Sequence, residues 1–393
     1  MKRRAIKPRE EYRKIVAGQG LIFHDMPNSH GVLEIYWHES AYYEFTARQI
    51  DEIELATNEL WAMCLAACQH VIDKELFSLL AIPEWAIPLI KKTWEDEPPS
   101  LYGRFDLAYD GINPPKMLEM NGDTPTMLLE SSVIQWFWKE DLFPQADQFN
   151  SIHERLVAKW KELAEYFAEL RCGNRVHFAH LYNQENTEDA MTVAYLMDTA
   201  LEAGLDPVAL SMEDIGYDSA NNVYVDLENA EIKQIFKLYP WEWLCGEEEE
   251  QGLNQLINSA DRTQWIEPIW KMLLANKGIL AILWQLYPNH PNLLEAYLDG
   301  PNGMAEYVQK PLLSREGANI TIKSKQGDVE VHGDYGEEGY VFQRFFAVPV
   351  QDGKRPILGS WVIDGESAGM GVREADGLVT DNGSIMTPHI FIG

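Results

Sequence analysis

The chain is 393 residues long, 46% hydrophobic and 11% aromatic, a composition that fills one large core or about two or three smaller lobes and excludes a disordered polypeptide. Asp and Glu outnumber Lys and Arg 62 to 32, for a formal charge of −30; such a surface repels phosphate backbones, which argues against nucleic-acid binding, and attracts polycations such as polyamines while also serving solubility. No apolar run nears the roughly 20 residues of a membrane span, and the N-terminal MKRRAIKPREEYRK has no apolar stretch behind its charges, so a cytoplasmic protein with no membrane partner and no export signal is expected.

The first strong element is an amphipathic helix over about 46–76. Thr46 and Gln49 form a capping box, and Ile50, Ile53, Leu60, Cys64, Ala67 and Val71 recur at helical spacing. Cys64, Cys68, Cys172 and Cys245 form neither a CxxC pair nor a zinc-like cluster, and they are expected as reduced core thiols.

Two segments follow that carry the chemistry, YGRFDLAYD at 102–110 and KMLEMNGDTPT at 116–126. Each alternates with a period of two, and Asp110, Gly111, Asn113, Pro114 and Pro115 between them read as a turn, so a hairpin is expected. Residues two apart share a face, which pairs Arg104 with Asp106 and Glu119 with Asn121. If those faces coincide, two carboxylates, a carboxamide oxygen and a guanidinium converge. Carboxylates held that close repel unless a cation sits between them, and an oxygen-seeking ion such as Mg²⁺ suits the donor set, with Arg104 as a phosphate partner. The plainer reading is a solvated hairpin with ordinary charges on its wet face.

Further along, Trp136, Phe137 and Trp138 are expected as core aromatics, and a second helix covers about 151–170. Strand 175–182, helix 187–202, strand 207–212 and a strand ending at Pro240 then alternate, which suggests a small α/β lobe with a partly parallel sheet. A helix is expected over about 268–286, within which Lys277 interrupts the apolar LLANKGILAILW; its amine either reaches a partner or snorkels to solvent. From Tyr307 onward strands and turns predict an antiparallel sheet. Gly365-Glu366-Ser367-Ala368-Gly369 matches a nucleophile elbow, yet a strand and not a helix follows Ser367, so a hairpin turn is expected. In YVQKPLLSREGANITI, Lys310 ends a strand before a polar loop with Gly317, an arrangement that can cover phosphate.

Taken together and in order, YGRFDLAYDG, LEMNGDTPT, LYPWEW, ANKGILAILWQLYPNHPNLL, VQKPLLSREGANI, VFQRFF and GSWVIDGESAGMGVRE make the chain resemble the synthetase domain of glutathionylspermidine synthase and its shorter bacterial relatives. The resemblance covers essentially the whole chain and implies a mixed α/β, ATP-grasp fold, with expected lobes at 1–170, 171–265 and 266–393 and no amidase domain. It implies that Asp106, Glu119 and Asn121 bind Mg²⁺, that Arg104 contacts the transferred phosphate, and that Arg373 is a catalytic arginine at the active centre. ATP contacts are implied at Arg104, Phe105, Asp106, Lys277, Lys310, Glu316 and Gly317. Gln343, Arg344, Phe345 and Phe346 resemble the hinge that receives adenine, and Thr124 and Thr126 the positions that meet the peptide substrate.

One motif departs. Where the glutathionylspermidine synthases have Lys-Thr-Trp-Ala-Trp-Glu-Thr, this chain has Lys237, Leu238, Tyr239, Pro240, Trp241, Glu242 and Trp243, so two hydroxyl side chains become Leu238 and Trp243. The implied reaction is ADP-forming ligation of a peptide or amino-acid carboxylate to an amine or polyamine through an acylphosphate, with ATP as co-substrate. The alternatives are the same chemistry on a different acid and amine, or a non-catalytic ATP-binding sensor.

Overall fold

The computed structural model describes residues 1–27, 33–98, 100–182, 187–246, 250–315, 317–379 and 384–393. Its long helix, Ala47–Asp73, starts where the capping box predicts: Thr46 Oγ1 accepts the Gln49 N–H at 3.3 Å and Gln49 Oε1 accepts the Thr46 N–H at 3.1 Å. The apolar stripe of Ile53, Leu60, Cys64, Ala67 and Val71 is wholly buried and packs against strands Arg355–Ile363 and Glu366–Ala375. Cys64 and Cys68 are buried free thiols, as expected, whereas Cys172 is partly exposed. Among the described residues no helix is long and apolar enough to cross a membrane.

The hairpin forms as strands Tyr102–Ala108 and Lys116–Asn121, at one edge of a five-stranded antiparallel sheet. Its remaining strands, in order from the hairpin, are Arg355–Ile363, Glu366–Ala375 and Ile385–Thr387. This corrects the expectation of one antiparallel sheet after Tyr307. The strands from 307 to 344, with Ala296–Tyr297, form a separate sheet, those from 355 to 387 cross to the hairpin, and His389–Ile392 pairs in parallel with Ala41–Thr46. The two sheets differ in burial: Arg355–Ile363 is buried along almost its whole length, so both of its faces are covered, whereas Tyr340–Arg344 alternates and keeps one face open. The same pairing joins 102–121 to 355–387 across the expected lobe limits.

A third sheet is all-parallel, in the order Gln264–Ile266, Gln234–Leu238, Arg175–His180, Asp206–Ser211. Helix Thr187–Glu202 connects the last two as a βαβ unit.

The helix expected over 268–286 is broken. A 3₁₀ turn, Ile269–Lys271, and a short helix, Met272–Ala275, precede helix Ile279–Leu286. At the break the Asn276 carboxamide donates to Leu80 O at 2.8 Å and accepts the Gly278 N–H at 2.9 Å, while the Lys277 N–H goes to Leu312 O at 2.8 Å. Glycine at 278 lets the segments close up, because a Cβ there would lie 2.6 Å from Leu80 Cδ2 and 2.9 Å from Asn276 Oδ1 and would push both aside. Of the aromatic trio only Trp138 is core; Trp136 and Phe137 are 37% and 45% exposed, because a helix buries one face and neighbouring residues point apart. Ser367 follows a tight turn at Asp364 and Gly365, both with positive φ, and continues a strand, so no nucleophile elbow exists there.

Candidate active site

Hairpin register puts Asp106 opposite Glu119 and Arg104 opposite Asn121, with a bulge immediately after Asp106. The turn is held by Asp110, whose Oδ1 accepts the N–H groups of Ile112 and Asn113 at 2.8 and 2.7 Å. Arg104 Nε donates to Asp106 Oδ1 at 2.9 Å and its Nη1 to Thr126 O at 2.7 Å. A glycine at 359 on the adjacent strand makes room, since a Cβ there would lie 3.0 Å from Arg104 Cδ. From the next strand Arg373 donates to Asp106 Oδ2.

Two lysines come from elsewhere. The helix break aims Lys277 at Glu119 Oε2, 3.3 Å away, and its Nζ donates to Ser314 O at 2.6 Å. Lys277 thus reaches a partner and does not snorkel. Lys310 Nζ donates to Leu118 O and Gln343 Oε1, both at 2.8 Å. Gln343 in turn donates to Met117 O at 3.1 Å, which ties the open-faced sheet to the hairpin.

These groups line one cleft of about 320 Å³, within the range of small-molecule sites. Of the residues singled out from the sequence, all but two border it, including Thr124, Thr126, Gly317, Arg344, Phe345 and Phe346. Phe105 is a correction: it is fully buried in the core on the strand face opposite Arg104 and Asp106, so its side chain meets no cleft ligand. Glu316 lies outside the described residues. Leu238 and Trp243 also line the cleft.

The inner end is electropositive within an acidic protein. Arg104, Arg373, Lys277 and Lys310 face Asp106 and Glu119, so among these six groups the cations exceed the carboxylates by two, with Glu188 on the wall facing Arg104. Burial alone would raise the Glu119 carboxyl, but Lys277, Lys310, Arg373 and Arg104 outweigh it and hold it down to about 2. Burial pushes the Lys310 ammonium down to about 8, against the pull of Glu119. Such an arrangement favours a polyanion.

The donor set also suits a hard cation. Asp106, Glu119 and Asn121 offer oxygen only, and the buried Asn121 Nδ2 has no hydrogen-bond partner among the described residues, so its carboxamide is not committed to the protein. No cluster of three or more His, Cys, Asp or Glu suited to a metal occurs among the described residues. A site with so few protein oxygens leaves most of an octahedron to water and phosphate, as Mg²⁺ prefers.

Sequence reasoning missed Arg315. It donates to Thr124 Oγ1 at 2.9 Å and Glu242 Oε1 at 2.7 Å, and its guanidinium lies 5.4 Å from the Trp243 ring centre. Its place in the polar SREG loop was the available signal. Tyr36 was missed as well; it borders the cleft and donates to the buried Glu130 at 2.8 Å, and no local motif marks either residue.

A family model described as glutathionylspermidine synthase preATP-grasp matches residues 3–392. The chain is 42% identical over 385 residues to a Haemophilus influenzae protein described as "Putative acid--amine ligase", with 95% of each covered. It is 28% identical over 343 residues to trypanothione synthetase of Crithidia fasciculata, covering 80% of this chain and 51% of that one. With the bifunctional glutathionylspermidine synthetase/amidase of Escherichia coli it shares 25% identity over 381 residues, covering 89% and 59%. The chain therefore spans only about half the length of the latter two. Among solved structures, a glutathione synthetase-like effector from Globodera pallida superposes with a TM-score of 0.58 at 9% identity, covering 98% of each chain. That likeness shows the fold, a mixed α/β architecture of the ATP-grasp type.

Proposed function

The chain belongs to the glutathionylspermidine synthase family, a family of carbon–nitrogen ligases, and on that premise we propose that it joins a carboxylate to an amine with cleavage of ATP to ADP. The observation that carries this reading is the cation surplus beside an oxygen-only donor set at the inner end of the cleft. Phosphoryl transfer depends on positioning and charge neutralisation more than on a protein nucleophile.

In this reading Lys277 and Lys310 hold the ATP phosphates, Gln343–Phe346 receives adenine, and the loop at Glu316 and Gly317 covers the polyphosphate. Arg104 and Arg373 neutralise charge at the transferred group. Asp106, Glu119 and Asn121 hold Mg²⁺, whose contribution when bound is to screen the phosphate charge from the attacking carboxylate. A carboxylate oxygen attacks the γ-phosphorus and ADP leaves. The amine nitrogen then attacks the acyl carbon, and phosphate leaves with the C–O electron pair. Thr124 and Thr126 meet the acid substrate. Its proposed location is the cytoplasm, where ATP is available.

Glutathione and a polyamine are the first candidate pair, in keeping with the acidic surface. Leu238 and Trp243 favour another acid or amine, because each removes a hydroxyl from the wall, and a site lacking a needed hydrogen bond can lose about 10⁴-fold in discrimination. ADP release measured across a panel of acids and amines tests both readings. Release with one pair establishes the ligase and names its substrates. Tight Mg²⁺-ATP binding without release for any pair would instead identify a nucleotide sensor.

A further inference from the structure

An amine at neutral pH arrives as an ammonium ion, and its nitrogen has no lone pair until a proton leaves. The two carboxylates at the inner end are already engaged in ion pairs: Glu119 faces Lys277 at 3.3 Å, and Asp106 is enclosed by Arg104 and Arg373.

A different carboxyl is better matched. Tyr36 borders the cleft, and its backbone is pinned by His24 O at 2.9 Å and the Met386 N–H at 2.7 Å. Its ring packs on Phe23 with centres 5.1 Å apart, and its hydroxyl donates to Glu130 Oε1 at 2.8 Å. Glu130 is 2% exposed and begins the π-helical turn Glu130–Ile134, a local distortion that recurs at functional sites. The charged groups facing the pair are Glu188 from helix Thr187–Glu202 and Arg104 and Arg373 from the central sheet. Burial and then Glu188 push the Glu130 carboxyl up to about 7, near the pH at which a general base works best.

We infer that Tyr36 and Glu130 form a proton relay that frees the amine nucleophile, a role that rests on the ligase reading above. The ammonium N–H bond breaks, and its proton passes to Tyr36 Oη as the tyrosine's own proton passes to Glu130 Oε1. The freed lone pair forms the C–N bond while the bond from acyl carbon to phosphate oxygen breaks. The second nitrogen proton leaves with phosphate as hydrogenphosphate, so charge and atoms balance.

The test uses the acid giving the fastest ADP release in the panel, presented with ATP and either its best alkyl amine or hydroxylamine, which is largely unprotonated at pH 7. Glu130→Gln and Tyr36→Phe are compared with the parent chain, with thermal unfolding as a fold check. The expected result is a loss on the order of 10²-fold or more with the alkyl amine, and less than about threefold with hydroxylamine. Equal losses with both nucleophiles would reduce the pair to a structural contact and overturn the relay. So would unchanged rates with both. If Glu130→Gln fails to fold, Tyr36→Phe decides alone, since it keeps the ring. Absence of ADP release from the parent chain with every pair removes the ligase reading and this role with it, a result distinct from a loss confined to the variants.

Discussion

Two kinds of charge pair lie within a few residues of each other in this chain. Lys237 with Asp123 at 2.9 Å and Lys271 with Glu267 at 3.1 Å are sealed, with all four side chains at 0% exposure. Lys277 with Glu119 and Arg373 with Asp106 are open to the cleft, and Lys277 and Glu119 keep 11% and 24% of their side chains exposed. The sealed pairs bind backbone. Glu267 Oε1 accepts the N–H groups of Leu101 and Tyr102, and Lys271 donates to Tyr102 O, so this pair grips the start of the hairpin. Asp123 accepts the Trp241 N–H at 2.8 Å, so the other pair fastens the hairpin's end to the wall carrying Leu238 and Trp243. With Arg104 and Lys310 beside them, the open groups number four cations to two carboxylates and leave Arg373 Nε and Asn121 Nδ2 without partners among the described residues. Charge compensated by the protein holds the fold, and charge in excess waits for a ligand.

The sharpest way to break this contrast is to remove one lysine from each set. Lys271→Met leaves Glu267 buried and uncompensated, and denaturant unfolding should show a loss of about 3–5 kcal/mol. Lys277→Met, at a partly exposed site, should cost under about 1 kcal/mol. Equal losses would erase the distinction.

Next in size is Glu119→Ala. Mg²⁺-dependent ADP release should fall on the order of 10²-fold or more, equivalent to at least about 2.7 kcal/mol of transition-state stabilisation, with unfolding unchanged. Near-normal release would make the hairpin purely structural.

A third test concerns a sealed group that tolerates only the neutral state. His389 is fully buried, and its Nε2 accepts the Phe149 N–H at 3.2 Å, which leaves Nδ1 to donate to Gln135 Oε1 at 2.9 Å. Burial pushes its pKa down to about 3, against about 6.5 when unfolded. The unfolded chain therefore binds the extra proton between those values. The stabilisation is intact above pH 6.5 and declines as pH falls toward 3. Stability should drop by about 2 kcal/mol from this group between pH 7 and 5, and His389→Gln should flatten that part of the pH profile. An unaltered slope would show that the residue charges freely in the fold.

The smallest effect is expected at Trp243, which is 38% exposed on the cleft wall. Trp243→Thr should move stability by no more than about 0.5 kcal/mol while shifting preference among acid substrates by on the order of tenfold in kcat/KM. An unchanged preference would separate this wall from substrate choice.

Legibility followed the range of the interactions. The capping box at Thr46, the turn at Asp110 and the shared faces of Arg104 with Asp106 and of Glu119 with Asn121 were readable, because periods of two and 3.6 are local properties of the backbone. Phe105 was misplaced by the family resemblance, which implied a cleft contact, whereas its side chain lies in the core on the face opposite Arg104 and Asp106. The helix break at Asn276 was invisible, since it depends on Leu80 and Leu312, partners distant in sequence. Arg373 meeting Asp106, and Tyr36 meeting Glu130, likewise join residues 267 and 94 positions apart.

By itself, then, the sequence determined the local elements, the donor types of the hairpin and, through its ordered motifs, the family. Only the tertiary structure decided which antiparallel strands share a sheet, which lysines are sealed and which open, and which carboxyl stands behind Tyr36. Strand pairing and burial are settled by competition among apolar surfaces across the whole chain, and the charge state of a buried group follows from neighbours that this competition brings together.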